Sequence, residues 1–168
     1  MRKELDELLC EKYPKIFRDR NAPMNQTCMC WGFDCGDGWF NIIDMLCANI
    51  QSHIDNIERQ QGYTIEWNKN VNDPDFEWTA FVNREERPVP ELIDQVVAIQ
   101  VKEKFGTLRF YYNGGDDFIN GLERMAESMS AVICEECGNP GKSRSGGWIR
   151  TLCDKHATEK GYHDEDAN

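Results

Sequence analysis

With 168 residues, 40% hydrophobic and 11% aromatic, the chain is long enough for one cored domain with a small appended module and too apolar to be disordered. Its 30 acids against 19 lysines and arginines give a formal charge of −11, which argues against a general nucleic-acid binder. No apolar run approaches the roughly 20 residues that cross a bilayer, and Met1-Arg-Lys-Glu does not read as a signal peptide. A reducing cytoplasm is therefore the expected compartment for the eight cysteines.

In chain order, residues 1–13 carry Leu5, Leu8, Leu9 and Cys10 at helical spacing. Pro14 interrupts, and an irregular stretch runs from Pro23 to Gly38. It holds Cys28, Cys30 and Cys35. With His53 downstream these three could suggest a second metal, but their spacing is not a regular zinc pattern and cysteine is a comfortable core residue. Asp34, Asp37 and Asp44 offer an acidic site. Gly36-Asp37-Gly38-Trp39 reads more simply as a turn and helix cap that buries the tryptophan. Phe40, Ile43, Leu46, Cys47, Ile50, Ile54 and Ile57 then predict a helix to about Arg59. Residues 55–94 are acidic, with ten acids and four bases. Phe76 to Val82 alternates like a short strand, and Pro88 and Pro90 mark a bend.

Val96 to Tyr112 is the clearest β signal. Val97, Ile99 and Val101, then Leu108, Phe110 and Tyr112, alternate with polar or small residues on either side of Lys104-Phe105-Gly106, which predicts a hairpin with one buried face. Its other face would carry Lys102, Lys104, Arg109 and Tyr111. That face is either a surface for an anionic ligand or partner, or an ordinary solvent face guarded by charge. After the turn at Asn113 to Asp117 comes a helix with the apolar stripe Phe118, Leu122, Met125, Met129 and Val132. It leads without a linker into Cys134.

Cys134-Glu-Glu-Cys137-Gly138 and Cys153-Asp-Lys-His156, fifteen residues apart, are two halves of a metal site. Paired soft ligands three positions apart grip one ion from a tight turn, and two such pairs complete a tetrahedron suited to Zn²⁺. Four protein ligands leave no open position for substrate, so a single structural zinc is expected; an iron–sulfur cluster with one His ligand is the alternative. Gly138 frees backbone amides to turn toward sulfur, residues 146–152 would return as a strand, and Cys153 and His156 would open a short last helix. Knuckle, hairpin and helix start together resemble a treble-clef finger. The expected fold class is α+β: a β-hairpin or small antiparallel sheet packed with helices, plus this finger. Residues 1–133 would form the core domain, 134–162 the fused finger and 163–168 a disordered tail.

Between the ligand pairs, Lys142-Ser-Arg-Ser-Gly-Gly-Trp-Ile-Arg150 carries three bases and no acid. Lys142, Arg144, Trp148 and Arg150 would hold phosphate oxygens and stack on a base; otherwise the bases pair with the protein's own carboxylates. Catalysis finds little support. His156 is a proposed ligand, His53 lies on a helix, and no phosphate loop, His-Glu-x-x-His or nucleophile elbow is present. A His-Asn-His type nuclease needs a general-base His beside the metal, which Glu135 and Glu136 do not replace.

The blocks Gly36-Asp-Gly-Trp39, Val101-Lys-Glu-Lys-Phe-Gly-Thr-Leu-Arg-Phe-Tyr111, Met125-Ala-Glu-Ser-Met129, Cys134-Glu-Glu-Cys-Gly138 and Gly147-Trp-Ile-Arg-Thr-Leu-Cys153 resemble a family of small phage- and prophage-encoded proteins. The resemblance spans roughly residues 31–157 and implies expression in a bacterial cytoplasm, without any catalytic residue. Cys28 and Cys30 fall outside it. The expected function is a non-enzymatic, zinc-containing accessory protein that binds and inhibits a host protein or defence component, with the acidic 55–94 block as a second contact. The alternatives are sequestration of a phosphorylated nucleotide signal, a DNA- or RNA-binding regulator and, last, a small metal-dependent nuclease. No membrane partner is expected.

Overall fold

The computed structural model describes residues 1–77 and 85–164. The predicted hairpin forms from β2 (Val97–Lys104) and β3 (Thr107–Asn113), paired antiparallel. Its turn is Phe105-Gly106, with φ of 53° and 79°, the two positive values that a two-residue type I′ connection demands. Leu108, Phe110 and Val101 enter the core. The predicted Val97–Ile99–Val101 alternation fails at one point. A register shift between Ala98 and Gln100 acts as a bulge, so Ala98 is buried in place of Ile99. The Ile99 carbonyl accepts instead from the Thr27 hydroxyl at 3.1 Å. A two-residue strand, β1 (Phe33–Asp34), lies parallel to β2 on its other side.

Helices close the core over this sheet. α1 (Lys3–Lys12) buries Leu9 but leaves Leu8 exposed, and it also buries Asp6. Burial of Asp6 is tolerable because Arg20 grips both carboxylate oxygens at 2.9 and 3.0 Å. α2 (Phe40–Val71) seals Ile43, Leu46, Cys47, Ile50 and Ile54. It continues well past the predicted end near Arg59. Its second half is tied to the 85–90 segment: Gln61 donates to the Pro90 carbonyl at 2.9 Å, Trp67 to Glu85 at 2.9 Å and Asn68 to Arg87 at 2.8 Å. The strand-like alternation at Phe76 to Val82 falls largely on residues outside those described. Asp37 is not the cap of α2. It sits in a 3₁₀ turn, Asp37–Trp39, and its carboxylate accepts from the Arg2 amide at 2.7 Å.

α3 (Asp117–Ser130) is capped by Asp116, whose carboxylate accepts from the Ile119 amide at 3.0 Å. Its buried residues are Ile119, Ala126 and Ser130. The predicted stripe is thus corrected: Phe118, Met125, Met129 and Val132 are exposed. Burial at Ser130 covers the outer edge of β3, because the Ser130 hydroxyl accepts the Leu108 amide at 2.8 Å.

The C-terminal residues build a second three-stranded sheet in the order β5 (Arg150–Leu152), β4 (Lys142–Ser145), β6 (His163–Asp164), with α4 (Asp154–Lys160) between β5 and β6. His163 and Asp164, expected in the tail, are paired with β4. This unit presses backbone to backbone on the Gly36-Asp-Gly-Trp39 turn. The Gly38 amide donates to the Glu135 carbonyl at 2.7 Å, and the Trp39 indole to the Ile133 carbonyl at 2.8 Å. A Cβ on Gly38 would lie 2.2 Å from the Cys134 carbonyl oxygen, so only glycine fits. At the other contact the buried Thr151 hydroxyl donates to the Gly106 carbonyl, at 2.6 Å, at the hairpin tip.

Candidate metal centre

The local fold brings the four predicted ligands together. Ile133 bridges to Pro140, the Cys134 amide donates to Asn139 at 2.7 Å, and the Gly138 amide turns back to Cys134 at 2.9 Å. These bonds close a knuckle around Cys134 and Cys137, with Gly138 at φ 76°. β5 returns beside it, since the Glu135 amide donates to the Thr151 carbonyl at 2.9 Å. Cys153 is the N-cap of α4 and His156 lies in its first turn. Knuckle, hairpin and helix start therefore follow one another as a treble clef requires.

The ligand atoms of Cys134, Cys137, Cys153 and His156 all lie within 4.8 Å of one another. Cys137 and Cys153 sulfurs are 3.9 Å apart, and the His156 Nδ1 is 3.5 Å from Cys134 Sγ and 3.3 Å from Cys153 Sγ. A tetrahedral ion with bonds of about 2.3 Å to sulfur has sulfur–sulfur edges near 3.8 Å. A disulfide needs about 2.05 Å. The group can hold one metal ion, and its donor set of three sulfurs and one imidazole is soft. The His156 backbone amide, ahead of the other influences, lowers the Cys153 thiol to about 7, toward the thiolate a metal needs. On the other side of the ring, Nε2 faces Glu159 at 3.8 Å. Among the described residues, Cys28, Cys30 and Cys35 do not form a second such group. Cys35 is buried in the core, where desolvation lifts its thiol to about 12.

The basic loop is largely folded onto the protein's own acids. Arg144 is buried, with its guanidinium held by Asp154 and Asp164. Lys142 reaches Asp164 at 2.8 Å, and Arg150 bridges Glu135 at 2.7 Å and Glu136 at 2.8 Å. Burial lifts the Glu135 carboxyl above its ordinary range; Arg150 opposes that shift. Trp148 donates its indole N–H to Glu103 at 2.7 Å. Of the two alternatives for this loop, the geometry matches internal pairing.

The hairpin face forms as predicted. Lys102 stands opposite Arg109 and Gln100 opposite Tyr111, so Lys102, Lys104, Arg109 and Tyr111 share a side. Lys102 Nζ lies 5.7 Å from the Tyr111 ring centre, while Arg109 pairs with Glu127 at 2.7 Å. Trp148 binds Glu103, whose side chain alternates to the opposite side from Lys102. The eight predicted ligand contacts therefore do not form one surface.

Asp44 is engaged by Lys12 and the Tyr13 hydroxyl, and His53 by Asp116 at 2.9 Å. Neither assembles with the metal group. The α2–α3 groove is a feature that sequence reasoning missed. It encloses about 420 Å³ and is lined by Ile42, Met45, Leu122, Met125 and Met129 among others, with Gly38 and Gly138 at one end. Its signal was present in the sequence: α3 has more apolar residues than a single core-facing stripe can use.

No helix among the described residues is long and apolar enough to cross a membrane. No family model, curated protein or solved structure matches the chain.

Proposed function

We propose that this chain is a non-enzymatic, zinc-stapled binding protein that acts by occupying a partner protein. The supporting observation is a contrast between two surfaces. The arginines that would grip a phosphate are committed to internal carboxylates, whereas large apolar side chains stand exposed on α2 and α3. Zinc is the ion assigned to Cys134, Cys137, Cys153 and His156, because three thiolates and one imidazole suit it and saturate its four positions. A saturated ion has no place for a substrate or an activated water, and His53 is engaged by Asp116. From the resemblance of the motif blocks to small phage- and prophage-encoded proteins we infer an accessory role in a bacterial cytoplasm, against a host factor or defence component.

A second reading, capture of a nucleotide or nucleic acid, is favoured by one observation: Lys102, Lys104 and Tyr111 share a hairpin face. Metal analysis and affinity capture with the intact protein test both. One zinc per chain and a stoichiometric protein partner retained at high salt are expected. Recovery of an intact nucleotide or nucleic acid, with steeply salt-dependent binding that Lys102→Ala and Lys104→Ala abolish, would overturn the protein-binding reading.

A further inference from the structure

We propose that the groove between α2 and α3 seats a basic amphipathic helix of the partner. The proposal rests on the protein-binding reading above and commits it to one face and one chemistry. Three methionines form its walls: Met45 is 61% exposed, Met125 55% and Met129 43%. Phe118, two turns before Met125 on the same face of α3, is also exposed, as is Val132 just past the helix end. A continuous apolar face of this kind is unusual on a chain of which 29% is charged. None of the described residues lining the groove carries a charge, and charge depletion with methionine enrichment characterises the cores of protein interfaces.

The shape selects a helix. Two packed helices leave a trough between them, and the stretch of α3 that lines it, Leu122 to Met129, runs for about 12 Å at 1.5 Å per residue. That length accepts about two turns of a third helix, anchored by apolar residues at i, i+3 or i+4, and i+7. Unbranched methionine side chains adapt to different anchor shapes.

Charge selects the sign. The groove is neutral, but it belongs to a molecule with 30 acids against 19 bases. An occupant with its apolar face in the trough turns its polar face into that negative field. Lysine and arginine there accelerate encounter, and acids slow it. A second copy of this chain brings the same −11 charge and lacks that complementarity.

The metal centre sets one end of the trough, because Gly138 follows the ligand Cys137 and packs on Gly38. Metal loading should therefore be needed for binding.

The test is selection of random 15-residue displayed peptides on the full-length, metal-loaded protein, followed by calorimetry with the strongest binder. Enriched peptides should carry apolar residues at helical spacing together with Lys and Arg. Binding should fall at least ~10-fold in Met45→Asp and in Met125→Asp and persist in Met125→Leu, with metal content and melting temperature unchanged. If either Asp variant misfolds, the corresponding Ser variant serves, with a smaller loss in the same direction. Enrichment of acidic or extended peptides, binding indifferent to these substitutions, or no enrichment at all overturns the proposal. So does a wild-type dimer in sedimentation that Met125→Asp dissolves, which would put a second copy in the groove. A captured protein partner that ignores the groove variants leaves the protein-binding reading intact, whereas capture of a nucleotide alone removes both.

Discussion

Trp39, Ile43, Ile50, Val101 and Leu108 belong to one apolar core built jointly by α2, the hairpin and the segment after α1, whereas among the described residues after Ile133 the only buried apolar side chains are Cys134, Leu152 and Ala157. Each large side chain of the first region is worth about 2–5 kcal/mol when truncated to alanine. The second region has too few such residues to offset the entropy of ordering its backbone. Other means are available to it: a Cys134, Cys137, Cys153 and His156 group able to hold a metal ion, the Arg144 and Arg150 carboxylate bridges, and close backbone docking on Gly36 and Gly38. The difference explains where the basic residues went. A segment short of apolar surface uses its charges internally, and the well-filled core can leave apolar side chains over for a groove.

Metal removal should separate the regions most strongly. Structural zinc contributes on the order of 10 kcal/mol to folding of such units. A chelator, or Cys134→Ala, should expose the amides of residues 142–164 to hydrogen exchange while Ile43 to Ile54 stay protected. Simultaneous loss of both would show that the regions share one energetic unit. Next in size is Glu135→Ala. It takes the buried carboxylate from Arg150 and from the Gly36 amide and leaves the guanidinium with Glu136 alone, which should cost about 3 kcal/mol in denaturant unfolding. Lys142→Ala, on an exposed pair with Asp164, should change stability by less than about 1 kcal/mol. If the two substitutions behave alike, ion pairing is not what holds the second region.

Gly38→Ala probes the seam between them. Its Cβ meets backbone, at 2.2 Å from the Cys134 carbonyl oxygen, and the overpacking should cost about 3 kcal/mol. The smallest effect is expected inside the first region, at Asp116. Burial opposes its ionisation, but hydrogen bonds from His53 and the Ile119 amide hold its carboxyl below the ordinary range. A carboxyl lowered on folding adds stability above its unfolded value, near 3.9, and loses it as pH falls through the folded value. Asp116→Asn keeps the cap but not this ionisation. It should flatten the stability profile below about pH 4, with a change of under about 1 kcal/mol at neutral pH.

Local signals carried much of this fold. The hairpin was legible because alternation and the Phe105-Gly106 turn are short-range features, and the metal ligands because their spacing constrains a single loop. The length of α2 was not, because its second half depends on hydrogen bonds with residues 85–90. The core face of α3 was misjudged for a related reason. Phe118, Met125 and Met129 obey helical periodicity as well as Ile119 and Ala126 do, and only the positions of α2 and β3 decide which set is covered.

By itself, then, the sequence determined the α+β class, the paired strands and the candidate metal group Cys134, Cys137, Cys153 and His156, all of which follow from periodicity and spacing over a few residues. The tertiary structure alone decided the fate of the charges and of the spare apolar stripe. Whether Arg150 faces solvent depends on where Glu135 and Glu136 are brought. Whether Met125 is core or surface depends on how α3 rests on its neighbours. Both outcomes are set by contacts between segments distant in the chain, which no local pattern encodes.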